Sequence, residues 1–126
     1  MPTLALPTDE RQSGGAVGRW GIATVSGKSM HPTLREGDRL LVAYGRHVQA
    51  GDLVLVQLPG ERPLAVKRAI RPEPGGWFVE RDNPRAGVDS WSLGPIESDA
   101  VVGVVIARLA PRPALFAATR RKHVKP

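Results

Sequence analysis

The sequence predicts a mostly β, single compact domain of curled antiparallel sheets with little helix. Three observations carry that expectation. Fourteen glycines and twelve prolines interrupt almost every stretch, which rules against long helices. Short apolar runs alternate with turn signals, the pattern of a β-rich domain rather than of a helical bundle. The 126 residues have room for one core, and 41% hydrophobic with 24% charged residues is ordinary soluble usage.

Taken in order, residues 1–19 carry Pro2, Pro7, Ser13, Gly14, Gly15 and Gly18 and read as a flexible N-terminal arm. Residues 20–112 form the expected folded domain, and residues 113–126 a basic C-terminal tail. Two segments of the domain resemble each other, Glu36-Gly-Asp-Arg-Leu-Leu-Val42 and Ala50-Gly-Asp-Leu-Val-Leu-Val56, with their glycines 14 residues apart. Each reads as a Gly-Asp turn feeding a strand, and two copies make two β units of one sheet system rather than a solenoid. Further strands are expected at Leu64–Ile70, Trp77–Glu80 and Val101–Leu109. Val101 to Ile106 is the most apolar stretch and is too short for anything but a buried strand.

The absence of cysteine excludes a disulfide scaffold, a thiolate zinc site and a cysteine nucleophile together, and makes the cytoplasm the expected compartment. No basic-then-apolar leader and no run of ~18 apolar residues is present, so neither export nor a spanning helix is expected. The net charge is +6, but Arg120, Arg121, Lys122 and Lys125 supply +4 of it, while Asp9 and Glu10 cancel Arg11 and Arg19. A basic tail on a nearly neutral body reads as a solvated terminus, with weak peripheral membrane contact as the alternative; no nucleic-acid partner is expected.

The densest signal is Ser26-Gly-Lys-Ser-Met-His-Pro-Thr-Leu-Arg-Glu-Gly-Asp38. Thr33 and Glu36 have capping-box spacing, so a short helical turn is expected, with Ser29 just ahead of it. Backbone N–H groups at such a turn can stabilise a developing oxyanion, a suitable place for a nucleophile; taken alone, a serine there is far more often a cap or turn residue. A serine nucleophile needs a base. His31, His47 and His123 fit that role poorly, and three scattered histidines give neither a base nor a metal site. No metal or other cofactor is expected.

The better base lies in Leu64-Ala-Val-Lys-Arg-Ala-Ile70. Strand alternation puts Ala65, Lys67 and Ala69 on one face, so Lys67 stands between two small side chains in a slot that a flexible amine can enter. Desolvation there removes its charge and makes it a general base near neutral pH. An edge strand with both cations reaching water is the competing reading. The loop Asp82-Asn-Pro-Arg-Ala-Gly-Val-Asp-Ser90 is dense in turn-forming polar residues and reads as an ordered loop, in which Asp89 and Ser90 either orient a lysine amine or support the site from behind it.

In this order the three blocks resemble bacterial type I signal peptidases and related Ser/Lys-dyad serine proteases. Ser29-Met-x-Pro-Thr-Leu34 with Gly37-Asp38 is similar to their nucleophile box, Val66-Lys67-Arg68 to the lysine box, and Asp82-Asn83 with Asp89-Ser90 to the last box. The similarity covers about residues 24–106. It implies a signal-peptidase or repressor-protease-like β fold, Ser29 as nucleophile and Lys67 as general base. It also implies oxyanion or substrate-binding roles around Ser26, Gly27, Lys28 and Met30, and support of the site by Asp82, Asn83, Asp89 and Ser90. Departures from the pattern are Gly27, where some members carry an oxyanion-hole serine, Arg81 for a glycine, Gly87 for a serine that contacts the lysine, and Trp91 for an arginine.

Within that group the chain looks most like the nickel-type superoxide dismutase maturation proteases, through its Arg39-Leu-Leu-Val42, Gly51-Asp-Leu-Val54 and Ala65-Val-Lys-Arg68 phrasing. That likeness implies removal of an N-terminal leader from the nickel superoxide dismutase precursor, the expected partner. The rival readings are a self-cleaving Ser/Lys regulator of the repressor or mutagenesis-protein type, with Gly14-Gly15-Ala16 as a cleavable arm, and a non-catalytic basic binding module.

Overall fold

The computed structural model describes residues 3–4, 19–60 and 63–116. Nine strands form one sheet: β1 (Thr3–Leu4), β2 (Trp20–Thr24), β3 (Arg39–Tyr44), β4 (Leu53–Gln57), β5 (Leu64–Glu73), β6 (Gly76–Glu80), β7 (Ile96–Glu97), β8 (Val101–Ala110) and β9 (Ala114–Leu115). One helical turn, α1 (Ser90–Leu93), and a 3-10 turn at Ser98–Ala100 complete the described residues. The sheet order is β1-β2-β3-β8-β4-β5-β6-β7, with β9 added to β8, and every pairing is antiparallel.

Curvature comes from two long strands and their bulges. β8 pairs with β3 over its later residues and with β4 over its first, while β5 pairs with β4 and then with β6. Register shifts fall at Arg39/Leu40, Leu41/Val42, Leu55/Val56 and Ala69/Arg71. Each extra residue bends its strand and increases the local twist, so the sheet curls instead of lying flat. The mostly β, curled antiparallel architecture agrees with the sequence expectation.

Strand alternation distributes the core over two clusters. Leu53 and Leu55 of β4 join Leu40, Val42, Val66 and Val105, and the intervening Val54 and Val56 join Ala69, Val79, Ile96 and Val104. β4 is therefore buried on both faces, which is why it reads as an unbroken Leu-Val-Leu-Val run rather than an alternating one. The same alternation on β5 sends Val66 to the first cluster and leaves Ala65 and Ala69 with the second.

The two Gly-Asp segments build the same turn twice. Asp38 accepts from Arg35 N at 2.9 Å through its carboxylate while its own N–H donates to Arg35 O, and Asp52 repeats both bonds with Gln49. Gly37 and Gly51 take φ of +90° and +95°, a conformation that admits glycine at little cost. Both aspartates are buried because their lone pairs are occupied by backbone donors.

The expected strands at Leu64–Ile70, Trp77–Glu80 and Val101–Leu109 appear with slightly wider limits. β2, α1 and β7 lie where the sequence pattern marks no element. Within the stretch read as an arm, Thr3–Leu4 pairs with Ala23–Thr24. Within the stretch read as a tail, β9 pairs with β8 and Phe116 packs on the first cluster. The Gly14-Gly15-Ala16 segment, His123 and the tail cations lie outside the described residues. No helix among the described residues is long and apolar enough to cross a membrane.

Because Leu55 is fully buried in the strand shared by both clusters, Leu55→Ala is expected to cost about 2–5 kcal/mol. Denaturant melts of the two proteins measure it.

Candidate active site

Ser29 stands in the connection between β2 and β3, which is a series of turns rather than a helix. His31 N donates to Lys28 O and Leu34 N to Met30 O, and Leu34 is fully buried, so the turn is anchored to the first cluster. The expected capping box does not form. Thr33 Oγ1 donates instead to Asp82 Oδ2 at 2.6 Å, and the Glu36 carboxylate accepts from Gly27 N at 3.0 Å. Both residues found partners of better reach than each other, so the nucleophile-type turn is held from outside and not by a helix.

Lys67 lies on β5 opposite Val54 of β4 and is 2% exposed. Its Nζ is 3.1 Å from Ser29 Oγ, donating to the hydroxyl in its charged form. Burial lowers its pKa from 10.5 to about 8; the Asp89 carboxylate opposes that shift and the Arg81 guanidinium adds to it. An amine in this state can exchange a proton with a hydroxyl near neutral pH.

The loop between β6 and α1 closes over this pair. Asn83 N donates to Ser29 O and Asn83 Nδ2 to Lys28 O, each at 2.8 Å, so one residue clamps two successive carbonyls of the serine turn. Asp82 joins three elements: it accepts from Thr33 and from Arg68 Nη2 at 2.7 Å, and its N–H donates to Met30 Sδ. Gly87 crosses next to the pair with φ +82°, and a Cβ there would stand 2.7 Å from Ser29 Cβ and 3.5 Å from Lys67 Nζ. The backbone thus approaches as closely as only glycine permits.

Asp89 and Ser90 act mainly on the backbone. Asp89 caps α1 through Trp91 N, accepts from Arg81 N, and pairs with Arg81 Nη1 at 3.3 Å; Ser90 Oγ accepts from Val79 N. No bond from either to the lysine amine is present among these contacts: of the two alternatives, direct orientation of the amine and support from behind it, the geometry offers only the second, with the field of Asp89 reaching Lys67.

A groove of about 230 Å³ opens beside Ser29 and Lys67. Val25, Ser26 and Gly27 border it, and Pro63, Leu64, Ala65 and Val66 bound it along β5. β5 pairs with β4 through Leu64–Arg68 and with β6 only from Arg68 onward, so among the described residues no strand covers the second edge of residues 64–67. Ser26 and Gly27 are exposed at the groove, whereas Met30 is a buried member of the first cluster that also reaches the lining. Lys28 contributes its carbonyl to Asn83 and does not line the groove. Arg68, Thr33 and Arg81 were missed as site residues: Thr33 and Arg68 meet Asp82 across 49 and 14 residues, and Arg81, whose partners lie within eight residues, carries no signature as a lone cation. His31 and His47 do not take part, and no group of three His, Cys, Asp or Glu among the described residues is arranged to hold a metal ion.

A curled β domain that presents a serine hydroxyl to a buried amine beside a strand-edged groove defines a class, the serine peptidases of β-rich fold. The Peptidase S24-like family model matches residues 16–106, a span that takes in Ser29, Lys67 and the whole 82–90 loop. The chain belongs to the Peptidase S24-like family. No curated protein matches it.

The lowered pKa of Lys67 has a thermodynamic consequence. Unfolding restores the ordinary value of 10.5, so the unfolded chain binds more protons between about pH 8 and 10.5. The cost of charging the buried amine is complete below about pH 8, shrinks through that window and vanishes above it. Lys67→Met keeps the unbranched stem and removes the charge. It is expected to raise stability at pH 7 by on the order of 3 kcal/mol, with the gain fading by pH 10.5, in denaturant melts across that range.

Proposed function

We propose that this chain is a serine endopeptidase in which Ser29 is the nucleophile and Lys67 the general base. The observation that carries the reading is the 3.1 Å contact between Ser29 Oγ and the buried Lys67 Nζ. Neutral Lys67 accepts the hydroxyl proton as Oγ attacks a peptide carbonyl, and the resulting ammonium then protonates the departing amine. Water then attacks the acyl-serine ester and gives its proton to Lys67, and Lys67 passes that proton to the departing Ser29 Oγ, which returns both groups to their starting state. Ser29 N–H is the donor assigned to the oxyanion, since Gly27 has no side chain to supply one. Asn83 fixes the carbonyls on either side of that N–H.

The substrate proposed is a precursor protein bearing an N-terminal leader, specifically the nickel superoxide dismutase precursor. Support for that choice is the sequence phrasing around Arg39, Gly51 and Lys67. Ser29→Ala removes one hydroxyl while keeping the backbone donor, so it is expected to abolish cleavage with the fold retained. Lys67→Arg is expected to be equally inactive because a guanidinium keeps its proton in this range. Incubation with a panel of leader-bearing precursors, followed by mapping of new N-termini, measures both; cleavage by Ser29→Ala at the wild-type rate would sink the mechanism.

The open edge of β5 opposite the Ser26–Gly27 stretch suits an extended peptide, whose backbone would complete the strand pairing and bring its carbonyl to Ser29. A co-structure with a leader peptide is expected to show an extended chain there, and a helical one would contradict it. Self-cleavage is the second reading, favoured by the pairing of Thr3–Leu4 with β2, the strand that leads into the serine turn. Intact mass after prolonged incubation separates the two: loss of an N-terminal fragment in wild type but not in Ser29→Ala identifies the self-cleaving protein.

A further inference from the structure

Arg81 makes more contacts around the site than its place at the end of β6 requires. Its N–H and its Nη1 both address the Asp89 carboxylate, at 3.0 and 3.3 Å. Its Nε donates to Asn83 O at 3.2 Å and its Nη2 to Pro84 O at 3.0 Å. One side chain therefore binds the start and the end of the loop that places Asn83 under Ser29 and Gly87 beside Lys67. The Asp89 side chain is 4% exposed, so water neutralises little of its charge and Arg81 is the counterion within reach.

We propose that Arg81 is a positioning residue that keeps Lys67 available as a base, by neutralising the buried Asp89 carboxylate and by fastening the 82–90 loop across the Ser29–Lys67 pair. This rests on the reading of Lys67 as the general base. An uncompensated carboxylate beside a buried amine stabilises the ammonium ion, which cannot accept a proton from serine. Burial supplies the main lowering of the Lys67 pKa, Asp89 opposes it, and Arg81 offsets part of the Asp89 field. Among the described residues the other surfaces against Lys67 bring no opposing charge: Val54 faces it from β4, Ser29 from its turn and Gly87 from the loop. Arg68, the next residue of β5, is committed to Asp82 and Gly51 O.

The test uses the full chain with 13Cε-labelled lysine, titrating Lys67 by NMR in parallel with pH profiles of kcat/KM on a leader peptide. Arg81→Gln is expected to raise the Lys67 pKa by about one unit, as removal of a neighbouring charge does. The acid limb of the profile should follow it, so that activity falls about tenfold at pH 7 and returns at pH values above the new pKa. Arg81→Lys retains the charge and is expected to restore both. Asp89→Asn, which keeps a capping side chain, is expected to move the Lys67 pKa in the opposite direction and supplies the test should Arg81→Gln not fold. An unchanged Lys67 pKa in Arg81→Gln or Asp89→Asn, or an Arg81→Gln loss of activity that is flat with pH, overturns the role of Arg81. A wild-type Lys67 that titrates at the ordinary lysine value overturns the reading of Lys67 as base, and this inference with it.

Discussion

A lysine amine held 2% exposed within reach of a serine hydroxyl has little solvent to stabilise its charge, and the surrounding elements are arranged around that constraint. The two alanines that flank it on β5 leave room for its stem. Val54 of β4 backs it from the neighbouring strand, and that strand is in turn buried on both faces. The curl of the sheet then has a purpose at the site: bulges along β5 and β8 wrap the strands far enough for the lysine strand to meet the serine turn.

The serine turn has little regular structure of its own and borrows its rigidity. Asn83 holds its carbonyls, Asp82 holds Thr33, and Arg68 ties Asp82 to the strand that carries Lys67. The proposed nucleophile and base are thus linked by a short chain of bonds through a single carboxylate. The Arg68–Asp82 contacts are part-buried and bidentate, through Nε and Nη2. Their value lies in fixing the relative position of two segments that share no strand pairing.

Much of this was legible in the sequence wherever the information is local. The Gly-Asp turns announce themselves because glycine and aspartate act within four residues, and the Ala65-Lys67-Ala69 face follows from period-two alternation. The capping-box reading of Thr33 and Glu36 failed for the complementary reason. Thr33 bonds across 49 residues to Asp82, a partner that no local pattern reveals. Asp89 and Ser90 were correctly singled out as structured, but their work is to satisfy backbone donors of β6 and α1, and only the folded sheet brings those donors near. Arg81 looked like a mere departure from a motif until its contacts with both ends of the loop were visible.

The uncovered edge of β5 bears on how the molecule behaves among others like it. Exposed strand edges invite pairing between molecules and so promote association and aggregation. Here the open stretch is recessed, with the 25–27 segment standing across the groove and Pro63, which has no N–H to donate, at its entrance. A single extended chain can enter between these walls, whereas the edge of an intact sheet, with its neighbouring strands attached, meets them first. On the proposed reading of the site, the same recess would discriminate by folding state, admitting segments that have not yet found a structure and turning away those that have.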